Sequence, residues 1–253
     1  MLTGYSAAFE TRQSTGVGMG IDVHALRYIE GLKTAGHLEG VERIMELGAQ
    51  YVHANARDLQ RFAFSFGRPL REVSNARDLY EMIGLSFACL DTSGEFGAIT
   101  LDLNFEPLPD EHVAAYDLVT NHGTTEHIFN QAHAFTVIHD LTCKGGLMMH
   151  ALPYTGYTVH GFFNYTPKLF WALAAANGYE LIDVSGRGEW LPTVHYRTLL
   201  KHIKFNLSPW LFPFNSLLYC TLRKTQDAPF VFPWDGRDQG MKKPQKDRYA
   251  RSA

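Results

Sequence analysis

The chain is short of cysteine, of net charge and of long apolar runs. Its three cysteines in 253 residues, Cys89, Cys143 and Cys220, have no metal-like spacing. That excludes a disulfide scaffold and a ribbon-type zinc site. Two of them sit in apolar, strand-like runs and read as buried, reduced thiols. A formal net charge of -3 gives no electrostatic reason for nucleic acid or an anionic membrane as a main partner. No apolar segment is long enough to span a bilayer. Met1 to Ser14 has no basic stretch leading into an apolar one, and the reduced thiols make a cytoplasmic protein the expectation. The one basic run, Lys242 to Arg251, lies among Gly, Gln, Asp and Pro, and 225–253 reads as a flexible tail.

What is present is globular: 45% hydrophobic and 19% charged residues, enough for one large domain. Ile21, Ala25, Leu26, Ile29 and Leu32 form a helical stripe that Gly36 stops, and 1–40 reads as a helical lid or cap. Short apolar runs follow at Arg43–Gly48, Ser86–Asp91, Ala98–Asp102, Tyr116–Asn121, Leu147–Leu152, Tyr179–Val184 and Ser216–Leu222. Between them lie helical patterns. Asn55 to Met82 is polar and helical-looking. Thr125 is placed to cap a helix carrying Ile128, Ala132, Phe135 and Ile138. Thr166-Pro167 opens another, which Asn177-Gly178 closes.

Strands alternating with helices predict an α/β, Rossmann-like, mostly parallel seven-stranded sheet with helices on both faces. Ligands in such sheets bind at the carboxyl edge, where the strand order reverses. The unusual residues gather at those strand ends: Gly48, Asp91, Asp102, Asn121 and His150.

Several stretches then carry a resemblance. Tyr116 to His127 pairs an aromatic-Asp strand with a Glu-His step opening a helix. Lys144-Gly-Gly-Leu-Met-Met-His150, Asn177-Gly-Tyr-Glu180 and Leu218 to Lys224 follow in order. In this order they resemble the class I S-adenosylmethionine (SAM)-dependent methyltransferases over 41–224, with insertions at 51–85 and 186–215. The resemblance implies SAM as cofactor and a small-molecule methyl acceptor, such as a sugar or secondary metabolite, methylated on oxygen or nitrogen. It implies that Glu46-Leu-Gly48 opens the glycine loop, with Gln50 beyond it. Asp91 would meet the ribose, Asp102-Leu103-Asn104 the adenine edge, and Asn121 with His122 the sulfonium side. The departure is Ala49-Gln-Tyr-Val52, where the family pattern has further glycines.

Each motif also has a structural reading. Asp91 and Asp102 suit strand ends and turns, and Glu126 suits a helix start. His122, His127, His150 and His160 are the candidate catalytic groups, able to position an acceptor or take its proton. A metal held by histidines is the alternative, but no histidine spacing of a known metal motif appears, so no metal is expected. His139 reads as an ordinary surface residue. The loop Tyr154 to Tyr165 reads as a packed loop or a substrate wall. Trp190, Phe205, Trp210, Phe212 and Phe214 read as a packed subdomain or a homodimer contact. Two other functions stay open: a degenerate methyltransferase-like binding subunit, motivated by the missing glycines, and an NAD(P)-dependent oxidoreductase. The second lacks Gly-x-Gly-x-x-Gly after its first strand; Gly16 to Gly20 is glycine-rich but follows no strand.

Overall fold

The structure, a computed structural model, describes residues 20–188, 194–195 and 215–235. A short strand β1 (Ile21–Asp22) leads into helix α1 (Val23–Thr34). The Asp22 carboxylate caps α1 by accepting from the amides of His24 and Ala25. Next come β2 (Arg43–Leu47), β3 (Val52–His53), α2 (Ala56–Ser65), α3 (Ala76–Met82) and β4 (Ser86–Leu90). The second half holds β5 (Tyr116–His122), α4 (Gln131–Leu141), β6 (Thr142–Thr155), α5 (Pro167–Asn177), β7 (Glu180–Gly188), β8 (Val194–His195) and β9 (Ser216–Arg223).

The main sheet runs β4-β2-β5-β6-β9-β7-β8, while β1 and β3 pair apart from it. Pairing is parallel from β4 to β6 and antiparallel across β9. So β9 and the two-residue β8 oppose the other strands, and the Rossmann-like, mostly parallel α/β reading holds. The chain steps outward from β2 to β4 and then returns to the other side of β2 at β5. That reversal opens a crevice at the carboxyl ends.

Strand alternation builds two cores. Ile44, Leu118, Leu147, Met149, Leu217 and Tyr219 face α1, α2 and α3. Met45, Val119, Met148, Leu152, Leu218 and Leu222 face α4 and α5. Each of these buried side chains contributes on the order of 1.5–3 kcal/mol relative to exposure.

Four expectations change. Ala98–Asp102 forms only an isolated bridge, Ile99 to Leu90, and then turns away. Local bonds take over there: Asp102 accepts from the Asn104 amide through its carboxylate and from Glu106 through its carbonyl. The seventh strand is instead β8. The stretch Asn55 to Met82 is two helices, each opened by its own asparagine cap, Asn55 and Asn75. Thr125 does not cap the helix; Thr125–His127 is a 3-10 turn, and Asn130 caps α4. His139 is buried, not on the surface. Its Nδ1 accepts from the Tyr179 hydroxyl at 2.6 Å and its Nε2 donates to the Ala228 carbonyl at 2.8 Å. Burial, with the Lys224 charge, lowers its pKa to about 4.

Pro167 opens α5, and Gly178 ends it in a left-handed conformation, as expected. The described part of the 1–40 segment, α1, buries Leu26, Tyr28, Ile29 and Leu32 against the sheet. Cys89 and Cys220 are buried and all three thiols are free. Trp190, Phe205, Trp210, Phe212, Phe214, the Gly16–Gly18 run and the basic tail lie outside the described residues. Among the described residues, no helix is long and apolar enough to cross a membrane.

Candidate functional site

The crevice over β2, β4 and β5 holds a cavity of about 280 Å³. Gly48, Gln50, Asp91, Leu103, Thr124 and His127 are among its walls. Gly48 ends β2 with φ 86°, the left-handed region that favours glycine. A Cβ there would lie 2.5 Å from Thr124 Oγ1 and 2.6 Å from Gln50 Nε2, so only glycine fits. The absence of further glycines has a visible consequence. The Gln50 side chain folds back over the loop and donates to Thr124 Oγ1 at 3.1 Å, and that hydroxyl donates to the Leu47 carbonyl at 2.6 Å.

Asp91 follows β4 and ties the two strand ends together. Its carboxylate accepts from the Ala49 amide at 2.8 Å and the Ser93 amide at 2.7 Å. Burial pushes its pKa up, but the hydrogen bonds from Ser93 and Ala49 outweigh that and hold it below the usual value. Lone pairs remain on both oxygens for a ligand's hydroxyls. Leu101, Leu103 and Ile128 supply an apolar wall.

Other predicted site residues stand away from the cavity. Glu46 is fully buried on the α1–α3 side and is not among the cavity walls. It accepts from the Thr120 hydroxyl at 2.6 Å, from His122 Nδ1 at 3.0 Å and from the His122 amide at 3.3 Å. The physical reason is the pleat: Glu46 and His122 share a face, opposite Asn121. His122 is itself 1% exposed, and its Nε2 has no hydrogen-bond partner among the described residues. Asp102 and Asn104 bond to each other at 2.9 Å, and Asn104 Oδ1 accepts from the amides of Phe129 and Asn130. They support the turn before α4; of that trio only Leu103 reaches the cavity wall.

His150 is buried between the rings of Phe135 and Phe170. Burial, then the nearby His122, lowers its pKa to about 3, which keeps it neutral. Its Nδ1 accepts from Asn121 Nδ2 at 3.2 Å. The same amide nitrogen donates to Thr125 Oγ1 at 2.9 Å, and Asn121 Oδ1 accepts from the Thr125 amide at 3.3 Å. Thus His150 orients Asn121, and Asn121 clamps the 3-10 turn. Tyr165 adds a hydroxyl 3.1 Å from Thr125 Oγ1, and Gln131 Nε2 donates to the carbonyls of Thr125 and Ile128 at 2.6 Å each.

That turn presents a cluster that local sequence pattern does not bring together. Glu126 is fully buried, and neither carboxylate oxygen has a hydrogen-bond partner among the described residues. Burial pushes its pKa up to about 7. His127 Nε2 lies 3.2 Å from His160 Nε2, and the Glu126 carboxylate lies 3.6 Å from His160 and 3.9 Å from His127. Burial lowers both imidazole pKa values, with His127 adding to the shift at His160. The fold brings His127 and His160 together but separates them from His122 and His150. Glu126 was legible only as a helix-start acid, because nothing in sequence places residue 160 against it. A second, apolar cavity of about 380 Å³ lies between α4 and α5, lined by Phe135, Leu169 and Phe232 among others. It carries no carboxylate or imidazole.

No protein-family model matches the chain, and no curated protein matches it. Solved structures of similar fold include a Burkholderia thailandensis 1,6-didemethyltoxoflavin-N1-methyltransferase, which holds 1,6-didemethyltoxoflavin and S-adenosylhomocysteine. It is 14% identical over 79% of this chain and 78% of that one, with TM-score 0.46. Others are YcgJ from Bacillus subtilis (11% identity, 79% and 100% coverage, TM-score 0.45) and the [4+2]-cyclase SpnF (14%, 80% and 82%, 0.46). These likenesses concern the fold alone.

Proposed function

We propose that the chain is an enzyme that binds SAM in the crevice over β2 and β4 and transfers its methyl group to a small molecule. One observation carries the reading: Gly48 and Asp91 stand on the two adjacent strand ends and wall the same cavity, linked through the Ala49 amide. The residues fit the group. The bare Cα of Gly48 admits close approach of a ligand, Asp91 has lone pairs for ribose hydroxyls, and Leu101, Leu103 and Ile128 suit an adenine ring. Bound there, SAM supplies an electrophilic methyl on its sulfonium.

The chain's own part is alignment, which methyl transfer needs more than strong acid–base chemistry. Asp91 and the β2 turn hold the donor, while His127 and His160 face the acceptor, an oxygen or nitrogen nucleophile. His122 and His150 are assigned to positioning, because both are buried away from the cavity.

A second reading has its own support. The Gln50 amide crosses the space that further glycines would leave open, and 280 Å³ lies just below the usual span of ligand sites, roughly 300–1,000 Å³. It favours a binding subunit without turnover. Calorimetric titration with SAM and with S-adenosylhomocysteine tests both. The enzyme reading expects saturable binding of each, weakened in Asp91→Ala by about 1–3 kcal/mol from lost hydrogen bonds. No binding of either ligand leaves only the second reading.

A further inference from the structure

We propose that Glu126, His127 and His160 hold a divalent first-row transition-metal ion, of the Zn²⁺ kind, with its remaining positions open on the exposed side of the two histidines. The inference does not depend on SAM binding. It starts from donor chemistry. Two imidazole nitrogens and one carboxylate form the set that binds catalytic zinc and mononuclear iron. A tetrahedral ion with bonds of about 2.0–2.1 Å sets its donors about 3.3 Å apart. The three pairs here stand at 3.2, 3.6 and 3.9 Å, so a shift of a few tenths of an ångström closes the site.

The second observation is the orphaned carboxylate. A fully buried Glu126 with neither oxygen hydrogen-bonded among the described residues is costly, because an unpaired buried polar group carries a penalty of about 1–3 kcal/mol and a charge more. The neighbouring Nε2 atoms face each other, where at most one proton serves both. One cation resolves both faults. Its charge pairs the carboxylate, and both nitrogens donate lone pairs to it.

The surroundings are built for the purpose. The turn carrying Glu126 and His127 is clamped by Asn121, Tyr165 and Gln131. The loop carrying His160 is fastened to the same residue, since the Phe162 amide donates to the Glu126 carbonyl at 2.8 Å. Gly161 makes the approach possible: a Cβ there would lie 2.8 Å from Glu126 Cγ. Glu126 is buried, while the side chains of His127 and His160 are 46% and 30% exposed, so the open side faces outward. Such an ion takes oxygen or nitrogen atoms of a second molecule at that side.

The test uses the full chain, stripped with a chelator, exchanged into clean buffer and titrated without SAM. Zn²⁺ uptake is followed by calorimetry and Co²⁺ uptake by visible absorption. One equivalent is expected, with Co²⁺ bands of a low-coordinate nitrogen–oxygen site. Glu126→Gln and His127→Gln should each weaken binding by about tenfold or more. His37→Ala, remote from the cluster, should leave it unchanged. Circular dichroism on each variant identifies any that does not fold, and the Co²⁺ spectrum of the unaltered chain stands regardless. No saturable uptake by the unaltered chain, or folded Glu126→Gln and His127→Gln variants that bind as tightly, overturns the proposal.

Discussion

At the scale of single residues, two positions concentrate the physics. Glu126 is a carboxyl whose folded pKa of about 7 stands above its ordinary value of 4.5. The folded chain therefore holds the proton more tightly than the unfolded one. The stability this lends is complete below pH 4.5, falls as pH rises through about 7, and is flat above. In metal-free protein, Glu126→Gln should remove that slope and stabilise the fold at pH 8 by up to about 3 kcal/mol. Urea unfolding at pH 5 and pH 8 measures it; parallel losses in both proteins would contradict the assignment. Gly48 is the other position. Gly48→Ala forces a Cβ against Thr124 and Gln50 at a positive φ, and should cost on the order of 1–3 kcal/mol with loss of ligand binding. Thermal melts with and without ligand check both effects.

At the scale of elements, the turn Thr125–His127 is where sequence and structure part most instructively. The residues that made it look like a helix start are real capping types, yet Asn121, Tyr165 and Gln131 hold it as a 3-10 turn. Those partners lie up to 40 residues away. Local pattern carries no record of them. The same holds for Ala98–Asp102, which has strand composition but turns aside into its own side-chain bonds. Where local signals agree with packing, as at Pro167 and Gly178, the element bounds were legible in the sequence to within a few residues. The other strand ends were legible too; which way their side chains point was not, and the pleat turns Glu46 and His122 to the α1–α3 side. The relay from His150 to Asn121 to the turn predicts that His150→Ala costs about 2–4 kcal/mol, through the space left between Phe135 and Phe170 and the lost bond to Asn121. It should also weaken metal uptake without touching a ligand. A structural role alone would move the melt and leave the Co²⁺ spectrum unaltered.

At the scale of the whole molecule, the strand order sets the chemistry's address. The reversal beside β2 puts Gly48, Asp91 and Thr124 around one crevice, and the loop after β6 brings His160 to its rim beside His127. The crevice and the histidine pair thus come from different strand connections. SAM is proposed to occupy this crevice. A crystal structure of the full chain with S-adenosylhomocysteine tests it most directly. The ribose hydroxyls should lie within hydrogen-bond distance of the Asp91 carboxylate, with the Gln50 side chain displaced from Thr124 and the sulfur pointing toward His127 and His160. A crevice still closed by Gln50, with the ligand absent or seated elsewhere, would contradict it.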